Sequence, residues 1–369
     1  MKPRTWLSLL GIALVLTLPA LDFLLLPQYR LAPLLPGIMA VALVGLGLNV
    51  VTGYVGLLHL GVAGFMAIGA FSYAILTNDG YPAQLGFWAA LALAAVFGGV
   101  AGAGLSVPIL RLRGDYLALV TLAFGEIVQD ALKNLESITK GTQGINPLPP
   151  AAIPFAEDIA KSSPSLAPYV GGPVVVYYLY VAIVAVAALM CWNLRRGRIG
   201  RAWVAIREDE LAARAMGMDV ARAKLVALVF GSALSAAGGA MWAARFGSSL
   251  DPGSYDFSLS MAVLAVVIVG GLASIPGVLV GAVVMGGFNQ VFLPWFSQWV
   301  TAHQGTGGNV LTAPVNWKFM IFGLALVLMM RYRPQGIWPA QETRLASAEK
   351  AKKPPGDPAP PGATPSGAT

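Results

Sequence analysis

Glu126 is an acid where acids are expensive. It lies in the apolar run LRLRGDYLALVTLAFGEIVQDAL, residues 110–132, about 11 residues beyond Asp115. At 1.5 Å per residue that is roughly 16 Å into a helix, close to the midplane of a bilayer. An ionisable group there either serves a polar path, or is paired by a neighbouring helix or sits near the outer interface. A second polar group, His59, sits in GYVGLLHLGVAGFMAIGA, residues 53–70, among glycines at 53, 56, 61, 64 and 69. Such a run has two readings. Small residues let helix backbones approach closely, or a kinked or broken helix turns bare backbone towards a polar solute. His59 is correspondingly a buried, hydrogen-bonded side chain or a group lining a cavity. The residues assigned to a solute path are therefore Gly53, Gly56, His59, Gly61, Gly64, Phe65, Tyr116, Thr121 and Glu126.

The other chemistry is charge. Residues 194–224, LRRGRIGRAWVAIREDELAARAMGMDVARAK, hold eight Lys or Arg between two strongly apolar runs. A basic segment between membrane-length runs belongs on the cytoplasmic side. Glu208, Asp209 and Glu210 open an Ala-rich helix at its positive end. Glu210 and Arg214 have the favourable i,i+4 order. Gly217 is placed to end that helix and Asp219 to cap the next. The segment reads either as a solvated loop or as a docking helix with a small Ala face, Ala212, Ala213 and Ala215. Catalytic chemistry has no comparable signal. The dipeptide Gly-Lys of a phosphate-binding loop is absent, and no nucleophile elbow, paired-acid site or metal motif stands out. The lone Cys191 excludes an internal disulfide.

The elements that must position these residues are membrane spans. The chain is 57% hydrophobic and 11% charged, with a mean hydropathy of +0.70, against about 25% charged residues in soluble domains. The expectation is an all-α polytopic membrane protein of about ten transmembrane or partly re-entrant helices. These fall near residues 6–26, 33–52, 54–76, 86–109, 116–133, 174–194, 224–245, 259–272, 277–296 and 316–331. The third, fifth and eighth are the candidates for broken or re-entrant segments. With ten alternating spans and both termini cytoplasmic, the inner segments hold 18 of the basic residues and the outer ones 6. The first run resembles a signal peptide but is long enough to remain as a span. The membrane domain is expected over residues 1–339. It includes a periplasmic segment at 134–173, with seven prolines, and a cytoplasmic segment at 195–223. Residues 340–369, rich in Ala, Pro, Gly and Lys, are expected as a disordered cytoplasmic tail. The +7 net charge collects beside spans, so it points to lipid and not to nucleic acid.

Four stretches together resemble the LivM-type permease subunit of branched-chain amino acid ABC importers. They are LRLRGDYLALVTLAFGEIV with the following TKGTQGI, GRIGRAWVAIREDELAARAMGM, VGGLASIPGVLVGA, and the ending MMRYRPQGIWP. The likeness covers about residues 35–339. It departs from the family at two places: Leu211 separates Glu210 from Ala212 in the coupling segment, and His59 and Val62 stand where relatives often carry Ser and His. The resemblance implies a heteromeric importer with a LivH-type permease as the other membrane half. It further implies two cytoplasmic ATPase subunits that use the ATP, and a periplasmic substrate-binding protein. No cofactor or metal is expected on this chain, and the subunit itself is not expected to be an enzyme. ATPase coupling is then assigned to Arg198, Gly200, Arg201, Arg207, Glu208, Asp209, Glu210, Ala213 and Gly217. Branched-chain amino acids are the default solute, with other amino acids, urea or amides as alternatives. An ion-coupled secondary transporter is the rival class.

Overall fold

A computed structural model describes residues 33–109, 115–151, 173–246, 251–304, 317–333 and 335–339. The expected span at 6–26, most of the 134–173 segment, Arg111 and Arg113, and the 340–369 tail lie outside the described residues. Among the described residues the protein is helical, and six helical segments are long and apolar enough to cross a membrane. This is a multi-pass membrane protein.

The helices follow the apolar runs. Helix α1, Leu35–Leu48, continues as a π-helical stretch, Asn49–Val55. Then come α2, Val62–Thr77, α3, Phe87–Ile109, and α4, Asp115–Asn134. A one-turn α5, Glu136–Thr139, precedes α6, Pro173–Arg196. Two helices of the polar segment follow, α7, Arg198–Glu208, and α8, Glu210–Ala215. The last group is α9, Val220–Phe246, α10, Phe257–Gly270, α11, Ile275–Gly281, α12, Leu293–Gln304, and α13, Lys318–Tyr332. Helices α11 and α12 are joined through two π-helical turns into one apolar length, Ile275–Trp299.

The centre of the bundle is α9, which packs along α1, α2 and α3, with α1 almost wholly buried. Lipid gives apolar helices little reason to associate, so they associate where small residues allow close backbone contact. A Cβ on Gly69 of α2 would stand 1.9 Å from the carbonyl oxygen of Ala236 on α9. One on Gly239 of α9 would stand 1.9 Å from that of Met66 on α2. The two helices meet backbone to backbone, and any larger residue at either position would part them.

Three of the expected spans differ in detail. The second run does not end at Gly53: the helix continues to Val55, and the chain breaks over Gly56–Gly61. Gly56 takes a left-handed conformation, φ 81°, while the Leu57 N–H turns back to the Val51 carbonyl. The fifth span, α4, is continuous and not broken, but it is too polar to rank among the six apolar lengths. The eighth gains length from a 3-10 turn at Pro252–Ser254 ahead of α10.

Candidate functional site

The break between α1 and α2 is built against α4. Gly61 comes so close to α4 that a Cβ there would lie 1.9 Å from the Thr121 carbonyl oxygen, and one on Gly64 would lie 3.1 Å from the Gly125 Cα. The broken chain exposes backbone donors that need acceptors. The buried Thr121 hydroxyl accepts the Leu60 N–H at 3.0 Å and donates to the Ala118 carbonyl at 2.9 Å. The Ser260 hydroxyl of α10 accepts the Ala63 N–H at 3.0 Å. His59 is buried beside Phe65, with ring centroids 5.5 Å apart, and Phe65 packs on Phe124 of α4 at 4.8 Å. The His59 Nδ1 has no hydrogen-bond partner among the described residues. Of the expected path residues, His59, Gly61, Gly64, Phe65 and Thr121 are thus gathered at one junction.

Two are not. Tyr116 is 70% exposed on the far side of α4. Glu126 follows Gly125 and is half-buried, and no ion pair or hydrogen bond holds it among the described residues. The pairing of Glu126 with another helix, one of its readings, is not seen. The face of α4 that packs inward carries Leu117, Thr121, Gly125 and Gln129, which recur every four residues. Gln129 donates from Nε2 to the Gly253 carbonyl at 3.2 Å. The opposite face carries Tyr116, Leu119, Ala123, Ile127 and Asp130, all exposed.

The other end of the break is held by the polar segment. Arg207, near the end of α7, donates from Nη1 to the Gly53 carbonyl at 2.7 Å, and a Cβ on Gly56 would touch its Cγ at 3.1 Å. Trp203, wholly buried, stacks against Tyr54 with centroids 6.2 Å apart and donates from Nε1 to the Ala223 carbonyl at 2.8 Å. Arg195 lies over the same Tyr54 ring at 5.6 Å and donates to the Ala273 carbonyl at 3.2 Å. The Ala273 N–H in turn donates to Oδ1 of the buried Asn49 at 2.8 Å. Close by, the C-terminal stretch closes the end of α10. Ile337 and Trp338 donate their N–H groups to the Val269 and Gly270 carbonyls at 2.8 and 2.9 Å, the groups a helix end leaves unsatisfied.

Within the segment, the local signals form as expected, and the Ala face forms only in part: Ala212 and Ala215 are exposed and Ala213 is not. Asp209 caps α8, accepting from the Leu211 and Ala212 N–H groups at 2.8 and 3.0 Å. Gly217, φ 79°, ends α8, with the Gly217 and Met218 N–H groups returning to the Arg214 and Ala213 carbonyls. Asp219 caps α9 through the Arg222 N–H at 3.0 Å. Glu210 pairs with Arg214 at 3.2 Å and with the buried Lys224 at 2.7 Å. Glu208, however, ends α7 and does not open α8. Gly200 is buried against the Arg195 backbone, and Arg207 turns to the break. Ala213 is 3% exposed, packed into the protein's own core, so it is not part of an outward Ala face. The reason is periodicity: Gly200, Trp203 and Ile206 on α7 and Ala213 on α8 share the inward side. Arg198 and Arg201 face out, as do Leu211, 66% exposed, and Met216, 82% exposed.

Asn49, Ser260, Trp203 and Arg195 were not among the expected site residues. Asn49 had a visible signal, since it and Thr52 are the polar side chains of an otherwise apolar run. Ser260 had none.

The comparisons with known proteins decide the family. A model of the branched-chain amino acid transport system permease component matches residues 32–330. The chain belongs to this permease family. It is 37% identical over 319 residues to the high-affinity branched-chain amino acid transport system permease protein LivM of Salmonella typhimurium, covering 83% of this chain and 69% of that one. The LivM of Escherichia coli is 36% identical, over 85% of this chain and 71% of its own. A LivH permease of Salmonella typhimurium, from the high-affinity system that its name shares with LivM, is 25% identical over 66% of this chain. No solved structure matches. The permease match spans the break, α4 and the α7–α8 segment together.

Proposed function

We propose that this chain is the LivM-type half of an ATP-driven importer of branched-chain amino acids. A LivH-type permease is the other membrane half, two ATPase subunits consume the ATP on the cytoplasmic side, and a periplasmic binding protein delivers the solute. The chain itself binds no nucleotide, cofactor or metal. It spans the inner membrane about ten times, with both termini inside. Residues 1–339 form the membrane domain, 134–173 the outer segment and 340–369 a cytoplasmic tail.

One observation carries this reading: the basic segment is wired to a break in a buried helix. The contact from Arg207 to the Gly53 carbonyl and the stacking of Trp203 on Tyr54 join α7 to the inner side of the break. Gly61, Gly64 and Thr121 join its other side to α4. A partner that shifts α7–α8 shifts the break against α4. ATP energy then arrives as a population shift between inward- and outward-facing states. The outward face of α4, polar at Tyr116 and Asp130 with Glu126 at its flank, suits a wall of the solute path shared with the second permease better than it suits lipid.

The test is leucine uptake by vesicles holding this chain with a LivH-type permease, the ATPases and the binding protein. Uptake should stop when ATP is withdrawn and persist when proton and sodium gradients are collapsed. Uptake that follows the ion gradients and ignores ATP would make the protein an ion-coupled secondary transporter. ATP-dependent uptake of urea or an amide, but not of leucine, would reassign the solute alone.

A further inference from the structure

The inner end of α6 carries a charged surface that the contacts to the break do not use; two of its arginines, Arg198 and Arg201, are shared with the ATPase-coupling assignment. Among the six apolar lengths α6 is the least enclosed, with 28% of its apolar window buried against 94% for α1. Ala182, Ala185, Leu189, Trp192 and Arg196 are all exposed and recur at three- and four-residue spacing, which places them on one face. This face is apolar for its whole length and ends in Trp192 and Arg196. The Arg196 guanidinium lies over the Trp192 ring at 4.5 Å, a contact that holds a flexible cation in place. Arg201, exposed on α7, donates from Nη1 to the Arg196 carbonyl at 3.2 Å, and Arg198, also exposed, begins the same helix. No Asp or Glu occurs from residue 159 to residue 207. Of the five arginines between 195 and 207, Arg195 and Arg207 turn inward to carbonyl groups. Among the described residues no acid pairs with Arg196, Arg198 or Arg201.

We propose that Trp192, Arg196, Arg198 and Arg201 form a binding site for the phosphodiester headgroup of an anionic phospholipid, whose acyl chain lies on the apolar face of α6 above it. An indole at the membrane–water boundary and a planar guanidinium fork match the ester and phosphate levels of a lipid. Basic side chains at that depth attract anionic lipid. Continuity between the apolar face and the charges favours a lipid over a protein, because an acidic protein surface would need no apolar strip leading into the bilayer. The site also has a consequence for the permease, since α7 begins at these arginines and ends at the Arg207 contact with the break. A bound lipid fixes one end of the helix that steers the other. The proposal rests only on α6 crossing the membrane, not on the solute or the partner subunits.

The test is native mass spectrometry of the full chain purified in detergent, titrated with phosphatidylglycerol and, separately, phosphatidylcholine. The unaltered chain should retain phosphatidylglycerol at least tenfold more tightly. The double variant Arg196→Gln, Arg201→Gln should lose about tenfold to thirtyfold in that affinity, at roughly a kilocalorie-scale contribution per basic group, with phosphatidylcholine unchanged. Arg196→Lys with Arg201→Lys should recover most of the loss. Equal retention of the two lipids by the unaltered chain would overturn the proposal without recourse to any variant. So would unchanged affinity in a folded double Gln variant, or displacement of the lipid by millimolar inorganic phosphate, which would mark a soluble-anion site. Loss of a co-purifying ATPase with lipid binding intact would make the patch a protein-docking face and overturn it too.

Discussion

Arg207→Met cuts the link between the polar segment and the broken helix while keeping an unbranched apolar side chain against Gly56. In the unaltered chain the guanidinium gives a 2.7 Å hydrogen bond to the Gly53 carbonyl. A hydrogen bond with a charged partner contributes about 1.5–3 kcal/mol when buried. Arg207 is exposed and its bond only partly buried, so solvent screening reduces this to about 1–1.5 kcal/mol. That corresponds to a change of roughly fivefold to tenfold in any equilibrium in which the contact is made on one side and lost on the other. Trp203, Arg195 and Asn49 still hold the inner end of the break, so the variant should fold and its thermal midpoint should fall by only a few degrees. The assay is the ratio of leucine taken up to ATP hydrolysed in vesicles holding the assembled importer. Arg207→Met should lower that ratio roughly fivefold to tenfold with ATPase binding unchanged. Arg207→Lys, which keeps the charge without the fork, should lie between. An unaltered ratio in a stable Arg207→Met complex would refute the mechanical role of this contact and leave it as a local helix-end bond.

The packing sets the outcome of four further substitutions. Ala213→Trp should destabilise the chain itself by about 1–3 kcal/mol through overpacking of a buried position, read as a lowered thermal midpoint of the purified chain, whereas Met216→Glu, at an 82% exposed position, should leave the midpoint unchanged and reduce ATPase co-purification. Gly61→Ala should sharply lower the yield of folded protein, because its Cβ would meet the Thr121 carbonyl oxygen at 1.9 Å. Thr121→Val, which removes the acceptor of the Leu60 N–H, should cost about 1–3 kcal/mol without altering volume, visible as a shifted denaturation midpoint.

Much of this arrangement is written locally. Apolar runs give most helix ends to within a few residues, though not the third, expected from residue 54, whose helix α2 starts at Val62; the Asp209, Gly217 and Asp219 caps stand where their side chains and backbone freedom place them. The position of the break is less legible. Five glycines lie between residues 53 and 69, and nothing local says which one takes a positive φ. The choice of Gly56 depends on Leu57 reaching the Val51 carbonyl and on the Arg207 stem beside it, and Arg207 is 154 positions from the Gly53 carbonyl it binds. The same holds for Asn49, whose partner Ala273 is 224 positions distant. Side-chain polarity announces that such a residue needs a partner, but not which one.

The direction of the α7–α8 face shows where local reading and tertiary contact diverge. Small residues at 212, 213 and 215 look equally suited to a docking surface, yet only a fixed register of α7 tells them apart. That register is set by Trp203, the largest side chain of the segment, which must bury against Tyr54 and find an acceptor for its Nε1–H. Once Trp203 faces inward, helical periodicity turns Gly200 and Ile206 with it, and the capped turn at Asp209 carries Ala213 to the same side. Leu211 and Met216 are left outward, the two most exposed large apolar side chains of the segment. The outward face of the segment is therefore the complement of the Trp203 contact. The residue that anchors the segment to the broken helix also determines which side chains the proposed ATPase partner would reach.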